Sequence, residues 1–182
     1  MSWAQVAETI RLEFADLSDV EQLTRTGTRL LVAVLLGAAI GWQRERHGSA
    51  AGLRTHMLVA LGASLFMVVP ALSGASTDGL SRVLQGLVAG IGFLGASAVL
   101  KLGDRGKIRG LTTAAGIWTT AAIGAAAGHG REATALLATL IVLVILDAVA
   151  RLERRVRPRR KSARLKEANS PPSGGGNVAD EE

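Results

Sequence analysis

Five apolar stretches, each about as long as a bilayer is thick, occupy most of residues 26–150 and constrain the fold more than any other feature. The hydrocarbon core of a bilayer is roughly 30 Å thick, so a spanning helix needs about 20 mostly apolar residues. The sequence therefore predicts an all-α, polytopic transmembrane helical bundle of about five spans. The predicted spans are Thr26–Trp42, Thr55–Leu72, Val83–Leu102, Gly110–Gly128 and Ala133–Ala150.

A soluble helical bundle is the alternative interpretation of these stretches. It would require polar faces with helical period, and the last three stretches lack such faces. The charged residues lie almost entirely outside the five stretches, which also favours a membrane. The chain contains no cysteine, so disulfides, cysteine-ligated zinc and thiol catalysis are excluded.

The distribution of Lys and Arg predicts the orientation in the membrane. Three lie within Arg44–Arg54, four within Lys101–Arg109 and nine within Arg151–Lys166, so alternate loops and the tail hold 16 of the 21. The positive-inside rule places these segments in the cytoplasm, which gives an outside N-terminus and an inside C-terminus. The net charge of +6 follows one side of a membrane, so no nucleic-acid partner is expected.

Composition divides the chain into three segments: 1–25, 26–150 and 151–182. The first is predicted to be an amphipathic helix that lies on the outer interface or caps the bundle, because apolar residues recur at helical spacing. These residues are Trp3, Val6, Ile10, Phe14 and Leu17. The basic run up to Lys166 is predicted to anchor the chain to anionic lipid, and Ser170–Glu182, rich in Pro and Gly, is predicted to be disordered.

Glycines form GxxxG pairs in the first, third and fourth predicted spans. Lipid provides no hydrophobic drive between helices, so such pairs favour close backbone packing. The third span has four glycines from Gly86 to Gly95, and each weakens a helix by roughly 1 kcal/mol relative to alanine. Close packing is favoured over a helix break that exposes carbonyls to a ligand. The predicted helix-packing residues are Gly37, Gly41, Gly86, Gly90, Gly92 and Gly95.

Polar residues near the hydrocarbon are few, and such residues are often functional. The candidates are Arg54, His56, Asp78, Arg82, Arg109, Thr112 and Thr113. Structural explanations compete with this one: Asp78 can pair with Arg82, Asp147 with Arg151 one helical turn later, and His56 can bond at a helix end. No metal-ligand cluster or nucleophile–base pair stands out, so no catalytic residue, metal or cofactor is predicted.

Four motifs, in order, resemble the MgtC/SapB family over about Leu30–Gly130. They are Gly41-Trp-Gln-Arg-Glu45, Ala51-Gly-Leu-Arg-Thr-His-Met-Leu-Val-Ala-Leu-Gly62, Gly90-Ile-Gly-Phe-Leu-Gly-Ala96, and Arg109-Gly-Leu-Thr-Thr-Ala-Ala115 followed by Trp118. The resemblance implies a multi-pass protein of the bacterial inner membrane with no enzymatic activity. It also implies a link to growth in low magnesium and regulation of other membrane proteins.

The chain departs from the family pattern at several positions. Gln43 stands where the family usually has a glutamate, Asp78-Gly-Leu-Ser-Arg82 replaces Asp-Pro-Ser-Arg, and Ser97 replaces a glycine. Virulence-type members also carry a soluble cytoplasmic domain after the spans. The basic tail of this chain leads us to expect the short, membrane-only type.

Two functional hypotheses follow from the residues and the resemblance. The first is a non-enzymatic regulator whose small-residue faces bind helices of a second copy or of other inner-membrane proteins within the lipid bilayer. The alternative is a small transporter or channel for Mg²⁺ or for an anion such as phosphate. Its path would include Arg54, Asp78, Arg82 and Arg109.

Overall fold

The structure is a computed structural model that describes residues 2–13, 19–99 and 110–156, without the side chains of 152–156. Over these ranges the protein is built from helices, which confirms the all-α prediction. The helices are α1 (Trp3–Glu13), α2 (Val20–Arg46), α3 (Leu53–Leu72), α4 (Thr77–Val99), α5 (Leu111–Gly128) and α6 (Glu132–Val156). Arg109 and the predicted disordered segment lie outside the described residues.

Local sequence explains the limits of α2, which begins six residues before the predicted span. The carboxylate of Asp19 accepts a hydrogen bond from the backbone N–H of Glu21 at 3.0 Å and thereby caps the N-terminus. At the other end Arg44 and Arg46 occupy the last turn, where cations are favourable beside the free carbonyls. Gly48, with φ of 68°, then turns the chain away from the helix.

Four helical segments are long and apolar enough to cross a membrane: α2, α3, α4 and the part of α6 from Glu132 to Arg151. The helix α5 coincides with the fourth predicted span but is not among them. It has 18 residues, rich in Thr, Ala and Gly, and ten of them are buried. Its composition therefore suits contact with other helices more than contact with lipid. The count of five spans and the orientation remain predictions.

The packed interior lies between α2, α3, α4 and α5, because α3 and α5 each contact the other three. Ile40, Val68 and Ile123 are among its largest fully buried side chains. Many large apolar side chains point outward instead, such as Phe66 on α3 and Phe93 on α4, which is 76% exposed. In water such exposure would cost roughly 25 cal/mol per Å² of apolar surface, whereas in lipid that cost disappears.

The chain divides into two compact units, Met1–Leu143 and Val144–Glu182, with the boundary inside α6. The first unit holds α1 to α5 and the first half of α6, where Ala135 and Thr139 are buried. The described part of the second unit is helical as far as Val156. The helix α1 confirms helical structure near the N-terminus and has no buried residue, while Phe14 and Leu17 of its predicted stripe lie outside the described residues.

Candidate functional site

Glycines allow α3 to approach α2 and α5 closely on two sides. On α2, a Cβ added to Gly37 would lie 2.6 Å from the backbone oxygen of His56, and one on Gly41 would lie 2.7 Å from Cα of Leu53. On α5, added Cβ atoms at Gly124 and Gly128 would overlap the backbone of α3 at Ala60 and Ser64. The GxxxG pairs of α2 and α5 therefore both face α3, and small residues are typical of interfaces between membrane helices.

The helices α3 and α5 run parallel with a constant sequence offset of 64. This offset relates Ala60 to Gly124 and Ser64 to Gly128, and it also relates His56 to Thr120. The same offset relates Ser49, in the α2–α3 loop, to Thr113 in the first turn of α5. The match extends along the length of α5, so the contact between the two helices is continuous.

His56 lies at the centre of this three-helix contact and is 0% exposed. Its ring nitrogen Nδ1 is 2.7 Å from Oγ1 of Thr120. Its Cβ would be 3.0 Å from an added Cβ at Gly41, and its Cε1 would be 3.5 Å from one at Gly116. The glycines on both neighbouring helices thus make the space that the imidazole occupies. The other ring nitrogen, Nε2, is buried without a hydrogen-bond partner in the described residues.

A second cluster of polar side chains lies at the end of the bundle where the α2–α3 loop is found. The guanidinium of half-buried Arg44 donates to Oγ of Ser49 at 3.3 Å, and that oxygen is 3.1 Å from Oγ1 of Thr113. The carboxylate of Glu45 accepts a hydrogen bond from the backbone N–H of Leu53 at 2.8 Å and so holds the start of α3. Side chains from α2, the loop and α5 therefore meet at one place.

The structure places the predicted polar candidates at different ends of the bundle. His56 and Thr113 are buried in the α3–α5 contact, while Arg54 and Thr112 are exposed at the starts of the same helices. Asp78 and Arg82 are exposed on the first turns of α4 and do not form an ion pair. A helix of 20 residues is about 30 Å long, so α3 separates Arg54 from Asp78.

The glycines of α4 differ from those of α2 and α5 in what surrounds them. The helix is continuous from Thr77 to Val99, so the break that the glycine-rich sequence allowed is not seen. Added Cβ atoms at Gly86, Gly90 and Gly92 would meet nothing within 4 Å, and one at Gly95 would lie 3.8 Å from Cβ of Ala114. Of these four predicted packing residues, Gly95 alone faces a neighbouring helix of the described chain.

Sequence reasoning did not select Arg44, Ser49 or Thr120 as candidates. Small and hydroxyl residues recur at three- and four-residue steps along α5 and form one helix face, which is a signal that could have found Thr120. These residues are Thr113, Gly116, Thr120, Gly124 and Gly128. Ser49 lies in a loop and has no comparable signal. Gln43, where the family pattern has a carboxylate, is buried, and a neutral amide costs less to bury than a charge.

Among the described residues no group of three or more His, Cys, Asp or Glu side chains could hold a metal ion. Two ion pairs are present in that part of the chain. Arg25 pairs with Glu21 along α2, and Nε of Arg29 lies 3.9 Å from Oε1 of Glu132. The second pair joins the third turn of α2 to the start of α6, far from Arg44 at the other end of α2.

Comparison with known proteins identifies the relatives of this chain. Protein SrpB of Synechococcus elongatus is 46% identical over 137 residues, which cover 69% of this chain and 75% of SrpB. YhiD of Escherichia coli (strain K12), named as a candidate magnesium transporter, is 38% identical over 131 residues, 68% of this chain and 60% of YhiD. Protein MgtC of Salmonella typhimurium (strain LT2) is 45% identical over 114 residues.

The chain covers 48% of the length of MgtC, about half of that relative. No solved structure matches it. A family model described as the MgtC family matches residues 30–155, and this range includes α3, α4, α5 and the polar groups around His56 and Arg44. The matched range exceeds half of the sequence, and the chain belongs to the MgtC family of membrane proteins.

Proposed function

We propose that this protein is a non-enzymatic, multi-pass protein of the bacterial inner membrane that regulates other membrane proteins during adaptation to low magnesium. It acts by packing the glycine face of α4, formed by Gly86 and Gly90, which are four residues apart on one side of the helix, against helices of a partner. That partner is either another inner-membrane protein or a second copy of this chain. The family membership and the magnesium-related name of YhiD support the physiological link.

The observation that carries this proposal is the open space beside the glycine face. Each of these glycines weakens α4 by roughly 1 kcal/mol relative to alanine. On α2 and α5 the glycines are explained by the contact with α3, but Cβ atoms at Gly86 and Gly90 of α4 would meet nothing within 4 Å. A helix from outside the described chain, packed closely against this face, would offset the cost.

The neighbouring residues support a surface for a helix in lipid. Phe93 of α4 is exposed beside Gly90, and large side chains flanking small ones suit close helix packing. The surface is uncharged, which fits a partner inside the hydrocarbon.

The experiment is affinity purification of the tagged protein from its own membranes after growth in low and in high magnesium, with partners identified by mass spectrometry. Gly86→Leu and Gly90→Leu should abolish the complex without reducing membrane insertion, because an added Cβ at either position meets nothing within 4 Å in the described chain. Gly62→Leu on α3 is the matched control, since its Cβ also meets nothing within 4 Å. Unchanged complexes from both α4 variants would overturn the proposal.

The same proposal includes five spans, with the N-terminus outside and the C-terminus inside. The charge distribution supports this orientation, because 16 of the 21 Lys and Arg residues then face the cytoplasm. The parallel register of α5 with α3 supports α5 as a spanning helix. The threonines of α5 are compatible with a spanning helix, because neighbouring helices shield much of α5 from lipid.

Transport of Mg²⁺ or of an anion is the second candidate function, and the name of YhiD favours it. A continuous path would have to connect Arg54 at the start of α3 with Asp78 and Arg82 at the start of α4. Liposomes containing the purified protein test this function directly. Ion-dependent flux that Arg82→Ala removes would support transport by this path. Absence of flux would favour the regulator hypothesis.

A further inference from the structure

The helix α1 has an apolar face that the rest of the described chain leaves uncovered. None of its residues is buried, and Val6 is the only one that is half-buried. The helices that pack closely together in the described chain are α2, α3, α4 and α5, and α1 is not among them. A cap on the bundle would require contacts of that kind.

One side of α1 is apolar and the opposite side is polar. Trp3, Val6 and Ile10 recur at steps of three and four residues and therefore share one face. Trp3 is 87% exposed and Ile10 is 55% exposed. Glu8 lies about 140° from Trp3 around the helix axis, at 3.6 residues per turn. Leu12 is exposed on the polar side, about 180° from Trp3.

The helix α2 sets the height of α1 relative to the bilayer. It has 27 residues and is therefore about 40 Å long, close to the thickness of a bilayer with its headgroups, about 40–45 Å. When α2 spans the membrane, its N-cap Asp19 lies at the level of the headgroups. Residues 14–18 alone separate α1 from Asp19, so the end of α1 lies within roughly 20 Å of that residue. This short connection holds α1 near the membrane surface.

We infer that α1 lies along the membrane surface and inserts Trp3, Val6 and Ile10 into the boundary between headgroups and acyl chains. Amphipathic helices bury an apolar face at this depth, and tryptophan is enriched there. The side of the membrane is the outer one in the orientation proposed above, whereas contact with lipid does not depend on that orientation. The family match begins at residue 30, so α1 lies outside the matched range.

The apolar area of α1, and not its charge, should hold it on the lipid. Basic residues on an amphipathic helix attract anionic headgroups. In α1 there is one basic residue, Arg11, against the two acidic residues Glu8 and Glu13. We therefore expect α1 to bind zwitterionic lipid as well as anionic lipid, and high salt should not release it.

The test measures quenching of Trp3 fluorescence in the full chain reconstituted into phosphatidylcholine vesicles. The sequence has three tryptophans, so Trp42→Phe with Trp118→Phe leaves Trp3 as the single emitter. Lipids brominated near the headgroup end of the acyl chain should quench Trp3 at least twofold more than lipids brominated near the methyl end. High salt should leave the quenching unchanged.

Two single variants compare the faces of α1. Ile10→Asn removes an apolar side chain from the face of Trp3 and should reduce quenching at least twofold. Leu12→Asn is the matched control, because it makes a similar change on the opposite face and should leave quenching nearly unchanged. Equal loss in both variants would overturn the proposed orientation of the helix.

Trp3 fluorescence that neither brominated lipid quenches would overturn the lipid contact. Strong quenching by iodide would then place Trp3 in water, and weak quenching would place it against protein, such as a second copy of α1. If the variant with one tryptophan does not fold, nitroxides on Ala7→Cys and Glu8→Cys replace this measurement. Oxygen should reach the first label better than a soluble nickel complex does, and the second label should show the reverse. These variants leave α4 unchanged, so the result is independent of the regulator proposal.

Discussion

The imidazole of His56 is fully enclosed between three helices, and its Nδ1 lies 2.7 Å from the hydroxyl of Thr120, which is 64 residues later on the parallel helix α5. Glycines on α2 and α5 make the space for the ring. The pair is therefore part of the contact between α3 and α5. It forms a polar contact there, and the alignment of the two helices places Thr120 opposite His56.

Removing one member of this pair should cost more than removing both. Thr120→Val leaves Nδ1 of His56 buried without a partner, which we expect to cost about 1–3 kcal/mol of stability. The double variant His56→Leu with Thr120→Val keeps no polar side-chain atom of the pair. Its loss of stability should therefore be smaller than the loss of stability in Thr120→Val alone. The measurement is the apparent melting temperature of the purified protein in detergent.

Thr119→Val is the control for this cycle. Its hydroxyl donates a hydrogen bond to the carbonyl of Ala115 within α5. We expect a change within about 0.5 kcal/mol. Additive effects of His56→Leu and Thr120→Val would contradict the coupling that the structure implies.

Alanine at two glycines should have effects of opposite sign. Gly124→Ala puts a Cβ against the backbone of Ala60, and such overpacking typically costs about 1–3 kcal/mol. Gly86→Ala meets open space and removes a poor helix former, so it should be neutral or stabilise by up to roughly 1 kcal/mol. Thermal unfolding of both variants in one detergent gives the comparison. Equal melting temperatures would contradict the close approach of α5 to α3.

Single cysteines should report the orientation, because the chain has none of its own. Ser73→Cys, after α3, and His129→Cys, after α5, should react with a membrane-impermeant maleimide added to intact spheroplasts. His47→Cys, after α2, should react only after permeabilisation. Protection of His129→Cys from the external reagent, with Ser73→Cys labelled, would show that α5 does not cross the bilayer.

The ion pair between Arg29 and Glu132 should contribute little to stability. Its atoms are 3.9 Å apart, and the two side chains are 25% and 38% exposed. Pairs of this kind are typically worth about 0–1 kcal/mol and are weakened by salt. We expect Glu132→Gln to lower the melting temperature by no more than a few degrees and the difference to shrink at 1 M NaCl. A large loss that salt does not change would contradict this assignment.

The positions of the helices could be predicted from the sequence, because apolar length is a local property. The predicted stretch Thr55–Leu72 differs from α3 by two residues at its start and ends at the same residue. The family could also be identified, since its motifs are contiguous strings of residues. The extension of α2 to Val20 was missed, because capping by Asp19 lets the helix begin in a polar segment before the apolar one.

The partners of individual residues required the tertiary structure. The three GxxxG pairs look alike in sequence, yet those of α2 and α5 pack on α3 while Gly86 and Gly90 of α4 face open space. Arg44, Ser49 and Thr113 likewise meet through contacts between separate segments. The sequence by itself determined which segments form long apolar helices, because hydrophobicity acts over each segment alone. The register between helices decided which polar and small residues meet, because that depends on packing between segments far apart in the chain.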